Sequence, residues 1–235
     1  MSNIQPLDNT AHADLRVIMQ HSAELGSAVN QAPLVPAEFE EAQRHYPILF
    51  RRDEEAKLQA IAILGFERDE NLFLTDGRWD GYIPAIMRRG PFFIGGSDGE
   101  DPVILVDMEH KRIRNGGEEG APLFLEHGGH APALEFALAA LRTIHLGGQQ
   151  AQAMQEAFED LGLVEEVKMN VRLSEDKAVN FEGLLAVTFE QIGRLEGDAL
   201  ERLNKAGLLP LAVFAASSLN NMQRLAARKQ AKEAA

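Results

Sequence analysis

The sequence predicts an α+β fold: a mostly antiparallel sheet with helices, a helical segment in the middle of the chain and a helix at the C-terminus. Three observations carry that prediction. Between Tyr46 and Met108, short apolar runs of strand length are separated by charged or glycine-containing turns. From Pro132 the apolar residues recur at three- and four-residue steps, the period of a helix. Near Val167 the period becomes two, the signature of a strand with one buried and one wet face. Strands followed by helix, hairpin and helix are segregated rather than alternating, which argues against a parallel sheet. One domain over 1–235 is expected, with the ends 1–13 and 229–235 offering few apolar anchors and expected to fray.

Taken in order, "LVPAEF" from Leu34 places Pro36 in the first turn of a helix that runs to about His45, where Pro47 forbids its continuation. "YPILF" and "KLQAIAILGF", joined by the charged turn "RRDEE", read as a hairpin. Asn71 to Leu74 reads as a short strand followed by an Asp-Gly turn, and "YIPAIMRR" as about two helical turns stopped by Gly90-Pro91. "PFFIGG" and "PVILVDM" are further strands, and the stretch from Arg112 to Gly129 is loop-like in its glycine content. In the helix from Pro132, Leu134, Leu138 and Leu141 share a face; a break is expected at Gly147-Gly148, with resumption through Met154, Phe158 and Leu161. Leu163–Leu173 and Val179–Phe189 are predicted to pair antiparallel through a turn at Ser174 to Ala178. Asp198 and Glu201 resemble a capping box, Gly207 a helix stop, and Leu211, Phe214, Ser218, Met222 and Leu225 one face of a last helix.

Composition narrows the function. With 23 Lys+Arg against 36 Asp+Glu the net charge is -13, so nucleic acid is not an expected partner. The absence of cysteine removes disulfides, thiolate metal sites and a cysteine nucleophile, and fits a reducing, cytoplasmic setting. No stretch approaches the roughly 20 apolar residues of a membrane span, and no basic start precedes an apolar run at the N-terminus. No cofactor loop is legible: "GPFFIGGSDGED" lacks the lysine and the following helix of a phosphate-binding loop. Ser217 and Ser218 lie in a helical pattern without a base, so they read as packing or backbone-bonding residues.

Two constellations remain. Glu126, His127 and His130 in "EHGGH" supply the residue types of a 2-His-1-carboxylate metal set, although the intervening glycines disfavour the helix that such spacing normally uses. The segment from Asn71 to Gly96 concentrates the single tryptophan, Tyr82, two prolines and the Arg88-Arg89 pair. Trp79 is expected to be buried for the fold, while Tyr82, Arg88 and Arg89 are candidates for binding, because a guanidinium holds a carboxylate or phosphate bidentately beside a stacking ring. On a helix from Tyr82 to Arg89, Arg89 would share the face of Tyr82 and Ile86 and Arg88 would point about 100° away.

The stretches "YPILF", "NLFL", "DGRWDGYIPAIMRRGPF" and "ALERLNKAGLLPLAVFAASSLNNMQRL" together resemble the SapC-related family of bacterial proteins, from about Val35 to Arg228. Gly77 to Phe92 keeps the family's order of tryptophan, tyrosine-x-proline, Arg-Arg and proline-phenylalanine; Gly90 stands where an aromatic residue is common, so no stacking role is assigned there. The resemblance implies an association with surface-layer protein secretion, descriptions as peptide or multidrug transport, and gene neighbours encoding halogenase-like and cupin-like proteins and outer-membrane receptors. It implies no reaction. The leading expectation is therefore a non-catalytic binding or accessory protein that holds a peptide, a small molecule or a partner enzyme such as a halogenase-like or cupin-like protein. The alternative is a metal-dependent, oxygenase-like enzyme using histidines among His45, His110, His127 and His130.

Overall fold

At the centre of the fold, two strands that are apolar on both faces cross-pair: Ile48–Arg52 and Leu58–Ile63, with Ile48, Leu49, Phe50, Ile61, Ala62 and Ile63 all buried. A computed structural model of the chain describes residues 3–96, 102–173 and 178–234. The two central strands belong to a five-stranded antiparallel sheet ordered Glu165–Glu166, Leu185–Ala186, Ile48–Arg52, Leu58–Ile63, Gln31–Pro33. Helices Phe189–Gly193, Gly197–Lys205, Leu209–Ser218 and Asn221–Glu233 follow, and their buried Leu203, Ala212, Ala215, Met222 and Leu225 join the core around this sheet.

A second, smaller core lies apart from the first. Phe92–Gly95 and Val103–Asp107 pair as expected, and Ile4–Pro6 adds a third strand. Leu15–Val17 pairs with both Ile113–Asn115 and Ala121–Pro122, so the glycine-rich stretch after Arg112 contributes two short strands rather than only loop. Leu15, Val17, Phe92, Val106, Ile113 and Leu123 pack here with Leu134, Leu138 and Leu141. These leucines come from the long helix Pro132–Asp160, whose other half delivers Met154 and Phe158 to the first core. Its 29 residues span about 43 Å, long enough to serve both cores.

That helix does not break at Gly147-Gly148. A Cβ on Gly147 would stand 2.5 Å from the Cβ of Val35, so the glycine is the contact through which the helix lies against Val35. Tertiary packing outweighs the roughly 1 kcal/mol that glycine costs a helix interior. Leu163–Leu173 and Val179–Phe189 pair antiparallel, through Glu165–Glu166 with Leu185–Ala186 and Met169–Arg172 with Ala178–Phe181. Ala178 already belongs to the strand, and Phe189 opens a helix; residues 174–177 of the expected turn lie outside the described residues. Ser97 to Asp101 lie outside them too.

The helical end differs in three respects. The helix Gly197–Lys205 starts from Glu196 without a side-chain cap, and the capping box sits one helix earlier, where Thr188 Oγ1 accepts from Gln191 N and Gln191 Oε1 accepts from Thr188 N. The expected last helix is two, parted at Leu219-Asn220, because side chains at the joint are claimed by the sheet side of the molecule. Ser218 Oγ donates to Ala215 O and accepts from Ile48 N, while Asn221 Nδ2 donates to Gln43 O and Tyr46 O. The tail beyond Arg228, expected to fray, continues as helix to Glu233 with Lys229 buried, and Ile4–Pro6 is paired to Val103–Asp107. Among the described residues no helix is long and apolar enough to cross a membrane.

Candidate functional site

The segment 71–96 threads between the two cores and is anchored at both ends. Its hairpin, Leu74–Thr75 with Arg78–Trp79, turns at Asp76-Gly77, both of which have positive φ (49° and 76°). Trp79 is buried; its Nε1 donates to Tyr46 Oη at 2.8 Å, and the His21 ring meets it edge-on at 5.4 Å. Tyr46 is fully buried and in turn donates its hydroxyl to the carbonyl of Tyr82, and burial pushes its pKa up. Between Trp79 and Tyr82 the chain passes so close to His45 that a Cβ on Gly81 would stand 2.9 Å from Nδ1; with φ of 103° as well, this position requires glycine. Asp80 faces outward to Arg228 of the last helix at 2.6 Å.

Tyr82 is not part of the following helix. Pro84 is extended (ψ 143°) and the helix proper is Ala85–Arg88, so the helical geometry expected between Tyr82 and Arg89 does not apply. The two arginines exchange roles as a result. Arg88 turns to Tyr82, donating Nη2 to Tyr82 Oη at 3.0 Å with its guanidinium 5.3 Å from the ring centre. Arg89 points away, donating Nη1 to Phe92 O at 2.8 Å and lying 4.1 Å over the Phe93 ring. Burial pushes the pKa of Arg89 down.

Glu38, which sequence reasoning did not single out, fixes this arrangement. It is buried, and its Oε1 accepts from Tyr82 Oη at 2.9 Å and from Ala85 N at 2.6 Å, while Oε2 accepts from Val35 N at 3.0 Å. A carboxylate removed from water is stable when hydrogen bonds surround it, and here they pin the start of the arginine-bearing helix. Burial and then the Glu38 carboxylate push the pKa of Tyr82 up, so the phenol remains a donor to Glu38 and an acceptor for Arg88. The signal was present in the sequence as an acid three residues beyond Val35, reaching back to its N–H.

Beside the helix lies a narrow cleft lined by Arg88, Arg89, Arg112 and His21, with Met19 and Phe136 also on its wall. Its free volume is about 10 Å³, room for about one water-sized group. Among the described residues no acidic side chain lines it. Arg44, Arg52, Arg114, Arg194 and Arg228 each meet a carboxylate, whereas Arg88, Arg89 and Arg112 form no ion pair with a described residue. Arg88 Nε is buried without a hydrogen-bond partner. Arg112 is buried, donating Nη2 to Ser27 Oγ at 2.8 Å and to His21 Nδ1 at 3.0 Å. Because guanidinium only donates, His21 Nδ1 is the acceptor and its ring is neutral. Burial and then Arg112 hold the His21 pKa down at about 4.

The second constellation is dispersed. Glu126, His127 and His130 are exposed; His130 Nδ1 lies 2.8 Å from Glu135 Oε1, and its ring leans on Phe124. Among the described residues no group of three or more His, Asp or Glu stands close enough to hold a metal ion.

No curated protein and no solved structure matches this chain. The family model described as SapC covers residues 7–225, almost the whole of the fold set out above and all of the segment that shapes the cleft, and the chain belongs to the SapC family.

Proposed function

We propose that this protein is a non-catalytic binding or accessory protein, which holds a peptide or a partner protein through the cleft bordered by Arg88 and Arg89, with Tyr82 bonded to Arg88 behind it. The observation that carries the reading is the set of arginines Arg88, Arg89 and Arg112, none of which meets a carboxylate among the described residues, on a chain of net charge -13. Charged groups in a fold are ordinarily paired or fully hydrated; a half-buried cluster of one sign, with a buried N–H left over, is a surface prepared for the opposite charge. The neighbouring Tyr82 and Phe136 rings add stacking faces, at 5.3 and 6.0 Å from the Arg88 guanidinium.

The test is a capture experiment from the native cell with wild-type protein and Arg88→Gln as parallel baits, each first checked by thermal melting. The substitution is expected to move Tm by only about 2 °C, corresponding to roughly 0.5 kcal/mol, and to release species that the wild type retains. Retention of an identical set by both baits would overturn the reading.

A further inference from the structure

We infer that the cleft takes a carboxylate carried on an apolar body, with the carboxylate entering beside Arg88 and Arg112 and the apolar part resting on Met19 and Phe136. This rests on the proposed reading of the cleft as a binding site and specifies its ligand. Three features select the class. First, the free space admits about one water-sized group, so one oxygen of an anion can enter it while the rest of the ligand stays outside. Second, the donors are those of guanidinium groups: Arg88 Nε has no partner, and among the described residues Arg112 engages Nε and Nη2, with Leu25 O, His21 and Ser27. Guanidinium edges match carboxylate geometry. Third, the wall carries exposed apolar surface next to these cations, with Met19 40% and Phe136 38% exposed. The overall negative field also penalises a dianion more than a monoanion.

A carboxylate on an apolar body occurs at a peptide C-terminus ending in an apolar residue and in a fatty acid. The experiment therefore titrates the full chain with N-acetyl-leucine, N-acetyl-leucinamide, octanoate and inorganic phosphate, following the arginine Nε–Hε resonances by NMR. We expect N-acetyl-leucine or octanoate to shift the Arg88 Nε–Hε signal saturably, and Arg88→Gln to weaken that binding about ten-fold, one lost charge-assisted contact. Arg88→Lys, which keeps the charge but lacks the planar donor, should weaken it too while retaining the wild-type amide spectrum. Tighter binding of N-acetyl-leucine assigns the ligand to peptide termini, and tighter binding of octanoate to lipidic acids; both support the carboxylate. Equal binding of the leucinamide, preference for phosphate, or no binding by either acid would overturn it. Should neither acid bind while capture still depends on Arg88, the ligand class fails and the binding reading stands. Acid binding without Arg88-dependent capture from the cell would fail the binding reading of a partner instead.

Discussion

Trp79 and Tyr46 are joined through a single oxygen: the indole N–H donates to Tyr46 Oη at 2.8 Å, and that hydroxyl donates onward to the carbonyl of Tyr82. The bond links the hairpin to the central sheet and sets where the chain leaves for the arginine-bearing helix. Trp79→Ala is expected to cost about 3–5 kcal/mol by opening a cavity in the core. Trp79→Phe keeps most of the volume and leaves Tyr46 short of a donor, which should cost about 1–3 kcal/mol. Urea denaturation of the two variants measures both values. Equal losses would mean that the bond to Tyr46 contributes as much as the whole ring.

Glu38 and Tyr82 should be energetically coupled. Glu38→Gln converts one acceptor into a donor facing Val35 N or Ala85 N, and Tyr82→Phe deprives both Glu38 and Arg88 of their shared partner. Each substitution is expected to cost about 1–3 kcal/mol. In a double-mutant cycle the pair should show a coupling of about 0.5–3 kcal/mol, because removing one partner already forfeits the bond. Additive losses would place the two residues in separate roles.

The sequence made the hairpin Ile48–Arg52 with Leu58–Ile63 legible, since consecutive β-branched and large apolar residues bounded by a charged turn leave little alternative. The strand Met169–Arg172 was legible from its two-residue alternation. What it hid depends on distant partners. Gly147 reads as a helix breaker until Val35 is seen against it, and the joint between the last helices depends on Gln43, Tyr46 and Ile48, 170 to 178 residues away. The Thr188–Gln191 capping box was local and readable, but Phe189 at the end of an apolar run favoured strand. At the site, the segment and its residue types were visible. The orientation of Arg88 and Arg89 was not, because it turns on one extended residue, Pro84, and on a buried glutamate 47 residues before Ala85 in the chain. Arg112 and His21 were invisible as site residues, being brought to the cleft only by the second core.

His21 should give the protein an acid-sensitive stability. Burial, and next the Arg112 guanidinium, lower its pKa from 6.5 to about 4. The fold therefore favours the neutral ring, and the unfolded chain binds the proton first as the pH falls. The contribution is complete above about pH 6.5 and is lost as the pH drops towards about 4. His21→Gln, which keeps an acceptor for Arg112 but cannot titrate, should lose less stability over that window. Urea midpoints across the window, for wild type and variant, measure the difference; parallel curves would show that His21 does not control it.

The C-terminal turn is expected to be structural rather than dispensable. Lys229 is 7% exposed, with Nζ 2.7 Å from Glu70 Oε1, 3.2 Å from Glu67 and 3.4 Å from Glu233. Glu70, 11% exposed, also uses Oε2 to accept from Phe66 N, so it holds the loop after the central hairpin against the last helix. Ending the chain at Arg228 removes the cation and leaves a shielded carboxylate, at an expected cost of about 3–5 kcal/mol. Lys229→Met should lose nearly as much despite keeping the aliphatic stem, and adding Glu70→Gln should recover part of it by removing the stranded charge. Burial lowers the Lys229 pKa, but hydrogen bonds to Glu70 and Glu67 outweigh it and the net shift is upward. The stabilisation is thus complete below the ordinary lysine value of about 10.4 and fades as the pH rises through the folded value, so the gap between wild type and Lys229→Met should be full at neutral pH and narrow in strong alkali. Melting temperatures of the truncated, single and double variants at neutral pH decide the matter: an unchanged melt for the truncated chain would show that the helix beyond Arg228 adds nothing to the fold.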